Sequence, residues 1–429
     1  MQTICARQLS TGTGSTGSLM TMSSLSSLLS SPVITTGFIF ITIFYTLLLP
    51  QIHCAPTVPT TGGANKCPDV RQQPSAYSRQ CRCSTNSTGH TVIVCNGDDI
   101  IDMNNYFVGL SQYQSTMQTI ADGNDGQQHH EPEPYDQFVL NNTAVTELGD
   151  QFLGNVTFKS IHIKDAFSLG RIAANAFGPN WLTVEELVID GESQLGASGS
   201  DRDLDELFDA LSSLVEAKRI WLNRNHLRQI PSVAFGKYSG QDYRLVDLNF
   251  NRFSVNNGHI QSIGNYAFYY LNQLRHLYLS HQRLDYVPAN AFDFERPSNQ
   301  TLYIYMGNNR LNNTSFERGV LLNAKRPVHL ELYWNPQLTY LDETIFAPFL
   351  RQDKRNHIRL GDQPLACDCK SYWMVRDKDG FGKQISNAKC KVGPNKVFSI
   401  DLIPFDQCRN KMSARLMASK SRRRKHLKH

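Results

Sequence analysis

Cysteine is the residue whose placement in this chain bears most directly on chemistry. There are ten, and none lies between Cys95 and Cys367. Cys67, Cys81, Cys83 and Cys95 form one group, in "CPDV…CRCSTNSTGHTVIVC"; Cys367, Cys369, Cys390 and Cys408 form another, beginning "QPLACDCKSYWMV". Thiols grouped in this way either pair as disulfides or hold a metal such as zinc, and the redox compartment decides between the two. Spacing alone leaves three pairings open within each group. Other chemistry finds no foothold: the sequence has no G-x-S-x-G, H-E-x-x-H or G-x-x-x-x-G-K, and its histidines are scattered, so no enzyme, cofactor or metal is expected. His129 and His130 have no third ligand at a fixed spacing, and the acidic "GDDIID" at 97–102 reads as a solvated turn.

The compartment follows from the amino terminus. Residues 33–49, "VITTGFIFITIFYTLLL", are uncharged and mostly apolar, a run between a secretory signal and a membrane-spanning helix in length. Cleavage after Cys54 leaves an even eight cysteines and favours a signal peptide; retention gives a single-pass membrane protein with the rest of the chain outside. Either way the cysteines face an oxidising space, which selects disulfides over zinc. Sequons at Asn86, Asn141, Asn155, Asn299, Asn312 and Asn313 agree with export. The formal charge of +5 is uneven: residues 411–429, "KMSARLMASKSRRRKHLKH", hold eight Lys and Arg and no acid, leaving about −3 on the rest. Such a tail can meet glycosaminoglycan or an anionic membrane. Nucleic acid is no expected partner of an exported chain.

The framework that must position any functional side chain is repetitive. "AKRIWLNRNHLRQIPSVAF", residues 217–235, recurs with its apolar pair at Ile161, Leu187, Ile220, Val246, Leu277, Ile304, Leu330 and Ile358, in steps of 26, 33, 26, 31, 27, 26 and 28 residues, and a weaker first copy falls at Phe138 and Leu140. Alternation at Ile220 and Leu222 buries both on one face of a short strand while Trp221 points the other way. After the strand the chain turns, and Asn225, Asn251, Asn309 and Asn335 stand where the turn's amides need partners. Ala166, Glu192, Gln282 and Gln363 depart from that slot. The return segments share phenylalanines at 177, 235, 268, 292 and 346, expected on the far side of the core.

This pattern resembles the leucine-rich repeat, L-x-x-L-x-L-x-x-N-x-L, over residues 135–366. The resemblance implies an α/β fold, a curved leucine-rich repeat solenoid (horseshoe) with a parallel concave β-sheet and disulfide-bonded caps. It also implies the bonds Cys67–Cys83, Cys81–Cys95, Cys367–Cys390 and Cys369–Cys408. The organisation becomes a signal peptide or anchor (1–54), an amino-terminal cap (55–100), a flexible insertion (101–134), repeats (135–366), a carboxy-terminal cap (367–410) and a basic tail (411–429). The C-x-C cap, "VIVCNG", irregular early coils and "AF" returns are similar to secreted arthropod proteins of the kind that form the non-catalytic chain of shrimp luciferase, which implies a partner-binding or stabilising role.

Strand positions that point away from the core would line the concave sheet: Arg219 and Trp221, Asp247, His276 and Tyr278, Tyr303 and Tyr305, His329 and Tyr333, with Trp334 at the edge. Tyrosine and tryptophan bury large area with a polar handle and dominate protein interfaces, so an extracellular protein ligand is expected there. The alternative is a matrix or cell-surface structural protein held by its tail or an uncleaved anchor.

Overall fold

The computed structural model describes residue 67 and residues 81–98, 106–112, 133–236, 252–255, 258–361, 363–376, 381–391 and 396–409. All belong to the unit Ala64–His429. The proposed signal or anchor, the bulk of the insertion with His129 and His130, the strand expected at Val246 with Asp247 and Asn251, and the basic tail lie outside them.

Twelve strands make one sheet in strict chain order. They are β1 (Cys81–Thr85), β2 (Thr91–Gly97), β3 (Tyr135–Asn142), β4 (Phe158–Lys164), β5 (Glu186–Asp190), β6 (Arg219–Asn223), β7 (Arg252–Ser254), β8 (His276–Tyr278), β9 (Leu302–Tyr305), β10 (Val328–Glu331), β11 (His357–Arg359) and β12 (Ile385–Ser386). Only β1 and β2 pair antiparallel; every later neighbour is parallel. A parallel pair needs a crossover that returns the chain to the same edge, which is the part of each unit whose length varies. The parallel ladder continues into both cysteine-rich segments, through Cys95 opposite Leu140 and Ile385 opposite Ile358.

Burial explains the alternation. Ile161 and Ile163, Ile220 and Leu222, Leu277 and Leu279, and Leu330 and Leu332 are all inaccessible. Opposite them lie Phe177, Phe235, Phe268, Phe292 and Phe346, also buried. Phe268 stacks on Phe292 at 6.0 Å and on Phe235 at 6.5 Å. Each such ring contributes about 1.5–3 kcal/mol through burial. Two of the helices in the crossovers show how their apolar faces are used. In α1 (Asp201–Ser213) Leu204, Leu207, Phe208 and Leu211 bury one stripe, and the Ser200 hydroxyl accepts from the Asp203 amide to start it. In α2 (Glu343–Gln352) Asp342 caps and Ile345, Phe346 and Phe349 pack inward.

One expectation is corrected. The strand between β6 and β8 is Arg252–Ser254, with Phe253 opposite both Ile220 and Leu277, so the steps are 33 and 24 where 26 and 31 were expected. The segment carries two alternating apolar pairs seven residues apart, Val246 with Leu248 and Phe253 with Val255. A period of two fits either pair. In the structure Val255 is the residue buried beyond the strand.

The turn slot works as a ladder of carboxamides. Asn335 accepts from the amides of Asn309 and Leu311, both at 3.2 Å, and donates to the carbonyls of Met306, Leu332 and Tyr333 at 3.0, 2.9 and 3.3 Å. Asn309 accepts from Leu284 and donates to Leu279, Met306 and Gly307. Gln282 accepts from the Ile260 amide and donates to the Val255 carbonyl; Gln363 accepts from the Asn335 amide and donates to Leu338. Those two glutamines therefore perform the asparagine's task with one more methylene. Ala166 and Glu192 bring no carboxamide. Just ahead of the slot the backbone is left-handed, at Asp165, Arg224, His281, Asn308 and Trp334 with φ of 50°, 54°, 58°, 55° and 55°. Residues other than glycine pay about 1–2 kcal/mol for this conformation, so at Arg224, His281, Asn308 and Trp334, where a carboxamide follows, the ladder bonds impose the turn.

Four disulfides close the ends: Cys67–Cys83, Cys81–Cys95, Cys367–Cys390 and Cys369–Cys408. This is the connectivity the resemblance implied, and no zinc is needed to account for these thiols.

Candidate protein-binding face

Since the core consumes alternate strand residues, the others form files across the opposite face of the sheet. The register gives one file of Glu186, Arg219, His276, Tyr303, His329 and His357, and beside it Val188, Trp221, Tyr278, Tyr305, Glu331 and Arg359, with β7 paired between the strands of Arg219 and His276. The two ends of these files differ in chemistry.

The amino-terminal part is polar and internally paired. Gln137 Nε2 lies 3.1 Å from His162 Nδ1, His162 Nε2 lies 3.5 Å from Glu186 Oε2, and Arg219 Nε lies 2.7 Å from Glu186 Oε1. Arg224 meets Asp190 at 2.8 Å. Burial lowers the His162 imidazole, against the pull of Glu186. Burial also works to raise Glu186, but the Arg219 guanidinium and His162 outweigh it and hold the carboxyl below its usual range.

The carboxy-terminal part is aromatic. Tyr278 and Tyr305 stack at 4.5 Å with an interplanar angle of 4°. His276 stacks on Tyr303 at 5.1 Å and lies 6.2 Å from Tyr305, whose hydroxyl is 3.3 Å from His276 Nδ1. Tyr303 meets His329 edge-on at 4.8 Å, and His329 meets His357 at 5.3 Å. Glu331 pairs with Arg359 at 3.4 Å, and His357 Nε2 lies 2.8 Å from the Ser386 hydroxyl. All six rings are half-buried. Burial, with Tyr278 and Glu331 beside it, pushes the Tyr305 phenol up to about 12. Burial lowers His329, and it lowers His357, which also feels His329. Burial therefore favours the uncharged forms of Tyr305, His329 and His357.

The expected site residues separate accordingly. His276, Tyr278, Tyr303, Tyr305 and His329 come together. Arg219 is committed to Glu186. Trp221 is two strands away from Tyr278, and its indole N–H is buried without an acceptor. Asp247 lies outside the described residues, and Ser254 holds the register position between Trp221 and Tyr278 that Asp247 was expected to fill. Tyr333 comes one turn after β10; its ring lies against Gly307, where a Cβ would meet ring carbons at 2.2 Å, and its hydroxyl is 3.5 Å from that of Ser280. Trp334 is 62% exposed at the margin. His357 and Arg359 were missed, although the same alternation applied to β11 selects them.

Among the expected sequons, Asn141 stands exposed on this face, in register with Lys164 at its polar end. Asn86, Asn155 and Asn299 are exposed, and Asn312 is half-buried. The Asn313 carboxamide instead holds the next unit, accepting from the Thr339 and Tyr340 amides at 2.8 and 3.1 Å and donating to the Thr339 hydroxyl at 2.8 Å. Among the described residues no three His, Cys, Asp or Glu are grouped to hold a metal ion, and no helix is long and apolar enough to cross a membrane.

No protein-family model and no curated protein matches the chain. Among solved structures it is similar to the octameric complex of Latrophilin 3 (Lec, Olf), Unc5D (Ig, Ig2, TSP1) and FLRT2 (LRR), with a TM-score of 0.43 and 16% identity over 76% of this chain and 97% of that one. It is similar also to human 5T4 (Wnt-activated inhibitory factor 1, Trophoblast glycoprotein), with a TM-score of 0.24 and 16% identity over 44% of this chain and 86% of that one. Likeness of this degree says nothing about what the present chain binds.

Proposed function

We propose that this chain is an exported, non-catalytic scaffold of the leucine-rich repeat type, a horseshoe solenoid that captures an extracellular protein on its concave sheet, at β8 to β11. The observation that carries the proposal is the stacked set His276, Tyr278, Tyr303, Tyr305 and His329, half-open to solvent and held in register by the backbone. Rings fixed in this way have already lost their rotamer freedom, so a partner gains their area at small entropic cost. The polar end is spent on internal ion pairs, and a glycan on Asn141 would cover it while sparing the aromatic end. Eight cysteines in four disulfides support an oxidising destination. A stabilising role beside a separate catalytic chain, as the arthropod resemblance implies, is one form of the same activity.

The test is affinity capture from extracellular fluid, with wild type beside a variant carrying Tyr278→Ser, Tyr303→Ser and Tyr305→Ser. Tyr333 is left intact because its ring packs on Gly307 and would report on folding. A protein held by the wild type and lost by the folded variant supports the proposal; equal capture by both sinks it.

A further inference from the structure

We propose that the carboxy-terminal cap is a docking surface for an anionic phospholipid bilayer. Charge is the first ground. The cap, residues 367–410, holds eight Lys and Arg against five acids and is near +3; with the eight further cations of the adjoining tail the two stretches total 16 of the 43 Lys and Arg, and the rest of the chain is near −6. Eight of those cations follow Arg409 within residues 411–429.

The second ground is independent and separates lipid from a polysaccharide polyanion. Val397, Phe398 and Leu402 are 49%, 41% and 70% exposed. They fall within six residues, on the short strand Val397–Ser399 and the 3-10 turn Ile400–Leu402. The antiparallel partner strand Lys389–Lys391 sets Lys391 directly across from Val397, and Lys396 precedes it, both lysines being exposed. Ile400, Phe405 and Cys408 are buried and Cys369–Cys408 ties the segment down, so the outward side chains are presented from a fixed base. Among the described residues of this cap the exposed acids are Asp368, Asp401 and Asp406, against the exposed cations Lys370, Arg376, Lys383, Lys391, Lys396 and Arg409. A sulfated polysaccharide needs cations alone and gains nothing from exposed Phe398 or Leu402. A bilayer uses both, with lysines at the headgroups and apolar tips in the acyl boundary. This surface is separate from the sheet face and stands or falls without it.

The experiment is flotation of the full chain with vesicles of phosphatidylcholine, or of phosphatidylcholine mixed with phosphatidylserine. The variants are Phe398→Ser with Leu402→Ser, and the conservative Phe398→Leu with Leu402→Ile, each checked for its four disulfides. Retention on heparin is read in parallel. The expected result is flotation on the anionic vesicles only, weakened at least about tenfold by the serine pair, kept by the conservative pair, and unaltered heparin retention. Equal flotation of wild type and serine pair overturns the proposal, as does wild-type flotation on neutral vesicles, which would place binding in residues 33–49. A serine pair that changes oligomeric state but not flotation overturns it too, in favour of a second copy.

Discussion

Replacing Asn335 by alanine tests whether the carboxamide ladder holds this fold. Its side chain is fully buried and serves five backbone groups in two consecutive units. Of these, the carbonyls of Met306 and Tyr333 keep another donor, from Asn309 Nδ2 and the Asn308 amide. The amides of Asn309 and Leu311 lose the acceptor that bridges them. At about 1–3 kcal/mol for each orphaned buried donor, the loss is about 2–6 kcal/mol. Asn335→Asp separates the two halves of the task, because it keeps the acceptor but turns a charge toward three carbonyls; its deficit should shrink as pH falls and the carboxyl protonates. Guanidinium unfolding measures the total, and native-state hydrogen exchange at Asn309 and Leu311 locates it, which matters because stacked units can open separately. A loss under about 1 kcal/mol with unchanged exchange at both amides would refute the ladder.

Three further outcomes follow from the geometry. Gly307→Ala places a Cβ 2.2 Å from the Tyr333 ring and should cost about 1–3 kcal/mol in thermal or chemical unfolding, most of it recovered when Tyr333→Ala is added. Burial works to raise Asp136, but Lys159 at 2.8 Å and the Thr91 amide and hydroxyl bring it down to about 2 from 3.8. The unfolded chain therefore takes up this proton first, so the contribution is present above about pH 4 and lost as pH falls toward 2; a pH series of wild type against Asp136→Asn should converge across that window. His329 and His357 sit below the usual histidine value of 6.5, so stability they supply by staying neutral is present above that pH and declines as pH falls through their folded values, a slope that His329→Gln with His357→Gln should flatten in melting curves.

The backbone plan was legible because packing dictates it. Ile220 with Leu222, repeated in unit after unit, can bury two side chains and turn the third outward only on a strand, and the phenylalanines of the returns had a single core to enter. The departures were legible as irregularities but not in their meaning. Gln282 and Gln363 looked like gaps in the asparagine series, yet an extra methylene still reaches the neighbouring backbone. The left-handed residues ahead of five of the slots left no trace, since Asp165, Arg224, His281, Asn308 and Trp334 share a backbone angle and no side-chain chemistry. Val246 and Phe253 compete for one place in the sheet, and alternation cannot choose between them. Within the site, the stacking of Tyr278 on Tyr305 and the pairing of Arg219 with Glu186 both follow from strand register, which alternation along a single strand does not reveal. Nothing in the sequence marks the buried Arg326, which donates to the Leu274 and Asn272 carbonyls at 2.9 Å beneath Phe294 and is pushed down to about 10 by burial.

The central claim is that β8 to β11 meet a protein partner through their outward rings. Its most direct test is a hydrogen-exchange footprint of the full chain with and without the captured partner. The account predicts new protection concentrated at residues 276–280, 302–307 and 328–333, absent in the Tyr278→Ser, Tyr303→Ser, Tyr305→Ser variant, with the polar strands β3 to β5 unchanged. Protection confined to those polar strands, to the return segments or to the carboxy-terminal cap would contradict it.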